Sequence, residues 1–157
     1  MGNPSTARQV YQTFVDLLNK KKYHFDQHDN DLVISMIAQG EDLPQPTIIR
    51  VLGDRDVVQI LSPIPSKIPE DKRLDAAVAV AAANYGLING SFDLDMSDGE
   101  IRYRVAQGYR NIEFSEDLAL YMLGIVFSTT DKYNDRFFML GRGMMSLEEF
   151  IKKDAEG

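Results

Sequence analysis

The chain has 157 residues, 44% hydrophobic and 26% charged, with a formal charge of −7 and no cysteine. That length suits one domain spanning residues 1–157 with a sufficient core, and the composition excludes wholesale disorder. Absent cysteine excludes disulfides, thiolate zinc sites and thiol catalysis, and the acidic balance disfavours nucleic acid as a partner.

Polar or charged residues interrupt every apolar run well short of the ~20 residues that a membrane span requires. Residues 1–20 have no apolar signal core, so the expected location is the cytoplasm, with no membrane partner. The opening MGNPST matches a myristoylation-like pattern, but its Pro4 and Ser5 also suit the start of a helix.

Residues 3–20 read as an amphipathic helix. Ala7, Val10, Tyr11, Phe14, Leu17 and Leu18 recur at steps of three and four, and Thr6 with Gln9 forms a capping-box pattern. Lys20, Lys21 and Lys22 suit the negative end of that helix.

Two hairpins are expected next. A two-residue turn at Asp29-Asn30 sets Phe25 opposite Ile34 and Tyr23 opposite Met36. After a linker holding Pro44 and Pro46, folding back at GDRD pairs Val51 with Val58 and Ile49 with Ile60. Pro63, Pro65 and Pro69 end the sheet, and Pro69 opens a helix with Glu70 and Asp71 in its first turn. That helix, residues 69–85, is rich in alanine; Leu74, Ala77, Val78, Ala81 and Tyr85 form the stripe expected to pack on the sheet, and Gly86 ends it.

The stretch SFDLDMSDGEIRYRV, residues 91–105, poses a choice between a cation loop and a hairpin. Counted as an EF-hand from Asp93, Asp98 falls sixth and Arg104 twelfth; from Asp95, Glu100 and Ala106 fall there. Neither frame supplies the required glycine and final carboxylate. A two-residue Asp98-Gly99 turn explains the pattern, with Met96 against Ile101, Leu94 against Tyr103, Phe92 against Val105, and the ion pairs Asp95–Arg102 and Asp93–Arg104. His24, Asp26 and His28 form the only histidine constellation. On a strand the two imidazoles lie ~13 Å apart, too far to share one ion. No metal site, no cofactor and no catalytic residue is therefore assigned. Nucleophile elbows and phosphate-binding loops are absent too.

A third long helix is expected from the cap at Ser115 to about Tyr133, apolar nearly all round at residues 118–127, and a short one after a capping box at Ser146 and Glu149. Between them RFFMLGRGMM gathers apolar side chains around two glycines, and methionine suits surfaces that accommodate varied partners. The candidate partner-binding set is Met122, Ile125, Val126, Phe137, Phe138, Met139, Met144 and Met145. A candidate small-molecule pocket between sheet and central helix is lined by Tyr85, Phe92 and Tyr103. The order α-ββ-ββ-α-ββ-α, closed by a short helix, gives an α+β fold with helices packed on an antiparallel sheet.

From residue 74 to 133 the chain resembles the YbjN-like family of bacterial sensory transduction regulators. The resemblance rests on the alanine-rich helix ending in Asn84, the Gly90-Ser91-Phe92-Asp93 entry to the hairpin, the Tyr103-Arg104 return strand, and the acidic start of the last long helix. It implies a fold similar to type III secretion chaperones, small acidic proteins that dimerise and hold partner polypeptides along apolar grooves. One departure is visible: four strands precede the central helix here, where those chaperones generally have three. The reading that follows is a non-enzymatic protein-binding module, chaperone-like or regulatory, forming a homodimer through its third helix or edge strands. The alternative is a metabolite sensor.

Overall fold

The computed structural model describes residues 2–157; Met1 of the opening MGNPST lies outside the described residues. Helix α1 (Pro4–Lys20) begins where the Asn3 side chain accepts the Ser5 N–H at 3.0 Å, so Asn3 is the cap and the Thr6/Gln9 box is not used. Its apolar face, including Phe14, Leu17 and Leu18, is fully buried, while Lys20 at its last turn meets Glu116 at 2.8 Å.

Strands β1 (Asp26–His28), β2 (Val33–Gln39), β3 (Pro44–Leu52) and β4 (Val57–Pro63) follow, then a 3-10 turn (Glu70–Lys72), α2 (Arg73–Tyr85), β5 (Ser91–Leu94), β6 (Ile101–Gly108), α3 (Glu116–Gly141) and α4 (Leu147–Ala155). The six strands form one antiparallel sheet in the order β1-β2-β3-β4-β6-β5. This is the expected α+β architecture, with four strands ahead of α2. Alternation decides the faces: Ile34, Met36, Ile49, Val51, Val58, Ile60, Tyr103 and Val105 are buried on one side, and the helices cover that side.

The β3–β4 register agrees with the sequence reading, Ile49 facing Ile60 and Val51 facing Val58. The other two hairpins slip by two residues. Gln27, not Phe25, faces Ile34, because the turn takes in residues 29–32 with Leu32 at φ 54°. Phe92 faces Tyr103, not Val105, and the connection is a six-residue loop, residues 95–100, rather than a tight Asp98-Gly99 turn. Asp95 there accepts from the Ser97 N–H at 2.9 Å and Asp98 from the Glu100 N–H at 2.9 Å, local bonds that lengthen the loop. Ile68 also docks on it, donating its N–H to the Gly99 carbonyl at 2.8 Å. Gly99 has φ 83° and lies so close to the Ile68 backbone that a Cβ would overlap it. An even slip keeps each side chain on its expected face.

The slip also regroups the charges. Asp93 takes both arginines, Arg104 at 2.8 Å and Arg102 at 3.2 Å, and Asp95 pairs with neither. Pro44 and Pro46 are strand residues rather than a linker. Pro69 caps the 3-10 turn instead of opening the helix directly.

The core closes around Phe92. Its ring meets Tyr103, Tyr133 and Phe137 edge-on at centroid distances of 5.3, 5.3 and 5.0 Å. Phe150 of α4 adds to Phe137 at 5.1 Å. The backbone of Phe92 is clamped by one side chain: Asn84 accepts its N–H at 2.7 Å and donates to its carbonyl at 3.0 Å. Asn84→Ala should lower the unfolding free energy by about 1–3 kcal/mol, read from urea denaturation, because both backbone groups lose their partner together.

Burial works against the Asp93 charge, but Arg104 and Arg102 outweigh it and hold the carboxyl below the usual carboxylate range. A carboxyl depressed on folding stabilises above its unfolded pKa, and that contribution is lost as pH falls through the folded value. Urea midpoints of the protein and of Asp93→Asn should therefore differ most near neutrality and converge on acidification below about pH 4; a gap that widens in acid contradicts the pairing.

Candidate protein-binding surface

The three most exposed large apolar side chains, Leu74, Tyr85 and Ile88, lie along α2 and just beyond it. Leu74 is 76% exposed, Val78 48%, Tyr85 96% and Ile88 97%, with Ala81 exposed between them. Steps of four, three and four put Leu74, Val78, Ala81 and Tyr85 on one helical stripe spanning ~17 Å, with Ile88 three residues beyond the helix end. No residue from 76 to 92 carries a charge, in a chain where charged residues make up 26%. A charge-depleted apolar stripe is the compositional mark of an interface centre.

The stripe was expected to face the sheet, and the structure turns it outward. The buried residues of α2 are Ala76, Ala79, Val80 and Ala83. Here α2 packs against β5 and α4, and the close approach suits methyl side chains, leaving the larger Leu74, Val78 and Tyr85 outside. Small residues do set the packing distance, but on the opposite face of the helix.

The stripe is extended at both ends. At one, Arg73 holds the 95–100 loop by donating to the Met96 and Ser97 carbonyls at 3.4 Å, beside the half-exposed Met96. At the other, the Asn89 amide donates to the hydroxyl of Tyr121, itself 51% exposed.

The sequence-derived candidates divide. Met122, Val126 and Phe137 are fully packed core residues, and Ile125, Phe138, Met139 and Met145 are half-buried; only Met144 is well exposed, at 67%. The all-round apolarity of residues 118–127 serves a helix pressed between α1 and the sheet, and α3 runs on to Gly141, so RFFMLG forms its last turns. Tyr85, Phe92 and Tyr103 do not converge: Phe92 and Tyr103 pack together in the core, and Tyr85 stands in solvent on the far side of α2. His28 approaches Ser35 at 3.4 Å, and among the described residues no three His, Asp or Glu side chains gather as metal ligands would.

No helix among the described residues is long and apolar enough to cross a membrane. The outward stripe was legible in the sequence as a periodicity, and the missing signal was direction: periodicity alone cannot say which of two apolar faces is the inner one.

Comparison with solved structures finds the same fold at low identity, three of the matching structures being the following. The crystal structure of "YbjN, a putative transcription regulator from E. coli" is 13% identical, with a TM-score of 0.59 over 80% of this chain and 92% of that one. A chain of the HopA1-SchA chaperone-effector complex is 13% identical, with a TM-score of 0.56 over 80% and 94%. One of the ExsC-ExsE complex is 10% identical, with a TM-score of 0.58 over 82% and 93%. No curated protein sequence matches. The model of the YbjN family, described as "Putative bacterial sensory transduction regulator", matches residues 14–139. With that match running from within α1 almost to the end of α3, the chain belongs to the YbjN family.

Proposed function

We propose that the protein is a non-enzymatic, cytoplasmic protein-binding module, regulatory or chaperone-like, that works as a homodimer joined along α2. The observation that carries this reading is the exposed, charge-free stripe of Leu74, Val78, Ala81, Tyr85 and Ile88. A two-fold interface must be complementary to itself. Laid antiparallel on its own copy, the stripe sets Leu74 against Tyr85 and Val78 against Ala81, so each large side chain of one end meets the other end and the small residues meet at the middle. Close approach at the middle then buries the bulky ends.

This arrangement takes α2 rather than α3 as the joining surface, since most apolar residues of α3 are engaged in the core and, of its large apolar side chains within residues 118–127, only Leu120 and Tyr121 are exposed. A protein partner is supported by the company the fold keeps: two similar structures are complexes, one of them of a chaperone with its effector. Pairing through α2 leaves the outer sheet face and the β1 side of the sheet free for that partner.

Light scattering on the eluting protein should give twice the 17.7 kDa chain mass. Val78→Arg should give the single-chain mass with an unchanged circular dichroism spectrum, because its side chain is outside the fold. A wild-type monomer throughout the micromolar range removes the dimer. Cross-linking in native cytosol that recovers no polypeptide above background removes the protein-binding role.

A further inference from the structure

The edge of the sheet beside β1 is only half covered. Strand β1 pairs with Val33, Ile34 and Ser35 and goes no further, although β2 continues to Gln39. Two bonds show which way the rest of β2 points. The Val51 N–H donates to the Leu32 carbonyl at 3.0 Å, so odd-numbered residues of β3 face β2. The Pro46 carbonyl accepts from the Ser62 hydroxyl at 2.8 Å, so even-numbered ones face β4.

Ile37 and Gln39 stand opposite Pro46 and Pro44. Those are the non-bonded pairs of the β2–β3 ladder, so the N–H and C=O of Ile37 and Gln39 point away from β3, to the side where β1 has ended. Two donors and two acceptors thus line an open edge. Natural sheets normally blunt such an edge with charges, bulges or proline; here its exposed residues are Ile37, 67% accessible, and the uncharged Gln39.

Both flanks of that edge are shaped. On the outer face lies an open groove of about 720 Å³, lined by Ser35, Ile37, Pro46 and Ile48 with His24 and Asp26 at its rim. On the inner face Tyr23 meets Phe127 at a tilt, ring centroids 6.0 Å apart. Beside them the Asp131 carboxylate accepts the Glu41 N–H at 2.8 Å and the Gln45 amide at 3.3 Å, so one carboxylate and the acidic residue Glu41 stand at the end of the open stretch.

We propose that residues 36–39 of β2 receive an extended partner segment as an added antiparallel strand, one whose side chains alternate apolar and basic. The apolar ones lie outward on Ile37, Pro46 and Ile48, and the basic ones point inward to Asp131, Glu41 and the Tyr23–Phe127 pair. Main-chain bonds supply affinity in this mode and the flanking surfaces supply selectivity. Charge favours the same occupant, since the net charge is −7. The inference rests on the protein-binding reading and names the class of segment that would be held.

The probe is a fluorescent seven-residue peptide alternating valine and arginine, compared with a valine–glutamate twin and with an N-methylated copy that cannot complete a ladder. The first should bind at least about tenfold more tightly than either control, and binding should slow hydrogen exchange at the Ile37 and Gln39 amides. Ile37→Pro removes one edge donor without touching the β3 ladder, and should weaken binding by about tenfold with an unchanged melting curve. Glu41→Gln should narrow the preference for arginine over glutamate.

Equal binding of all three peptides, or wild-type affinity in Ile37→Pro, overturns the proposal. So does a change of oligomeric mass in Ile37→Pro, which assigns the edge to a second copy. If Ile37→Pro fails to alter peptide binding yet cross-links the same cytosolic polypeptides as wild type, the edge proposal falls while the protein-binding reading stands.

Discussion

The Phe92 junction is the constraint on which the rest of the structure depends. Its ring meets aromatic side chains from β6 and α3 edge-on, and its backbone is held on both polar groups by the amide of Asn84 at the end of α2. Three edge-on neighbours fix the place of the ring, and an amide bonded twice to one residue fixes the end of α2 at that point of the strand. Helix α2 therefore has one rotation available relative to β5. That rotation puts the methyl groups of Ala76, Ala79 and Ala83 inward and turns Leu74, Val78 and Tyr85 out.

A second fastening acts at the opposite end of the sheet. Asp56, nearly buried at 7% exposure and with φ 53°, accepts from Arg110 at 2.8 Å and from the Asn3 N–H at 3.3 Å, while its carbonyl accepts from Tyr109. The start of α1, the β3–β4 connection and the end of β6 are tied together through that one residue. With both ends pinned, the sheet has two distinct margins: the β5 margin lies beside α2 and its apolar stripe, and the β1 margin is left with an unfinished edge. The exposed apolar stripe and the unfinished edge therefore lie on different margins of the sheet.

Chemistry is spread thinly over this molecule. Its carboxylates are occupied with helix starts, loop bonds and ion pairs: Glu116 with Lys20, Asp98 with Lys67, Asp93 with Arg102 and Arg104. Two buried tyrosine hydroxyls answer to structure as well, while that of Tyr109 has no partner among the described residues. Tyr103 donates to the Asn89 carbonyl at 2.7 Å, and Tyr133, pushed up to about 12 by burial and by its bond to Asp154, joins α3 to α4. Apolar side-chain surface on α2 and main-chain hydrogen-bonding capacity at the β2 edge are the features that suit polypeptide recognition.

Sequence alone determined the number and order of the elements, the faces of the strands and the position of the caps at Ser115 and Ser146, because these follow from periodicity and from bonds between near neighbours. The register between Ile49 and Ile60 was legible for the same reason, whereas the other two hairpins depended on loops lengthened by Leu32 and by the Ile68 contact with Gly99. Only the tertiary structure decided which apolar face of α2 is inner and how far β1 runs along β2. Both are set by contacts between residues distant in the chain, and a hydrophobic pattern has the same period whether it faces the core or a partner.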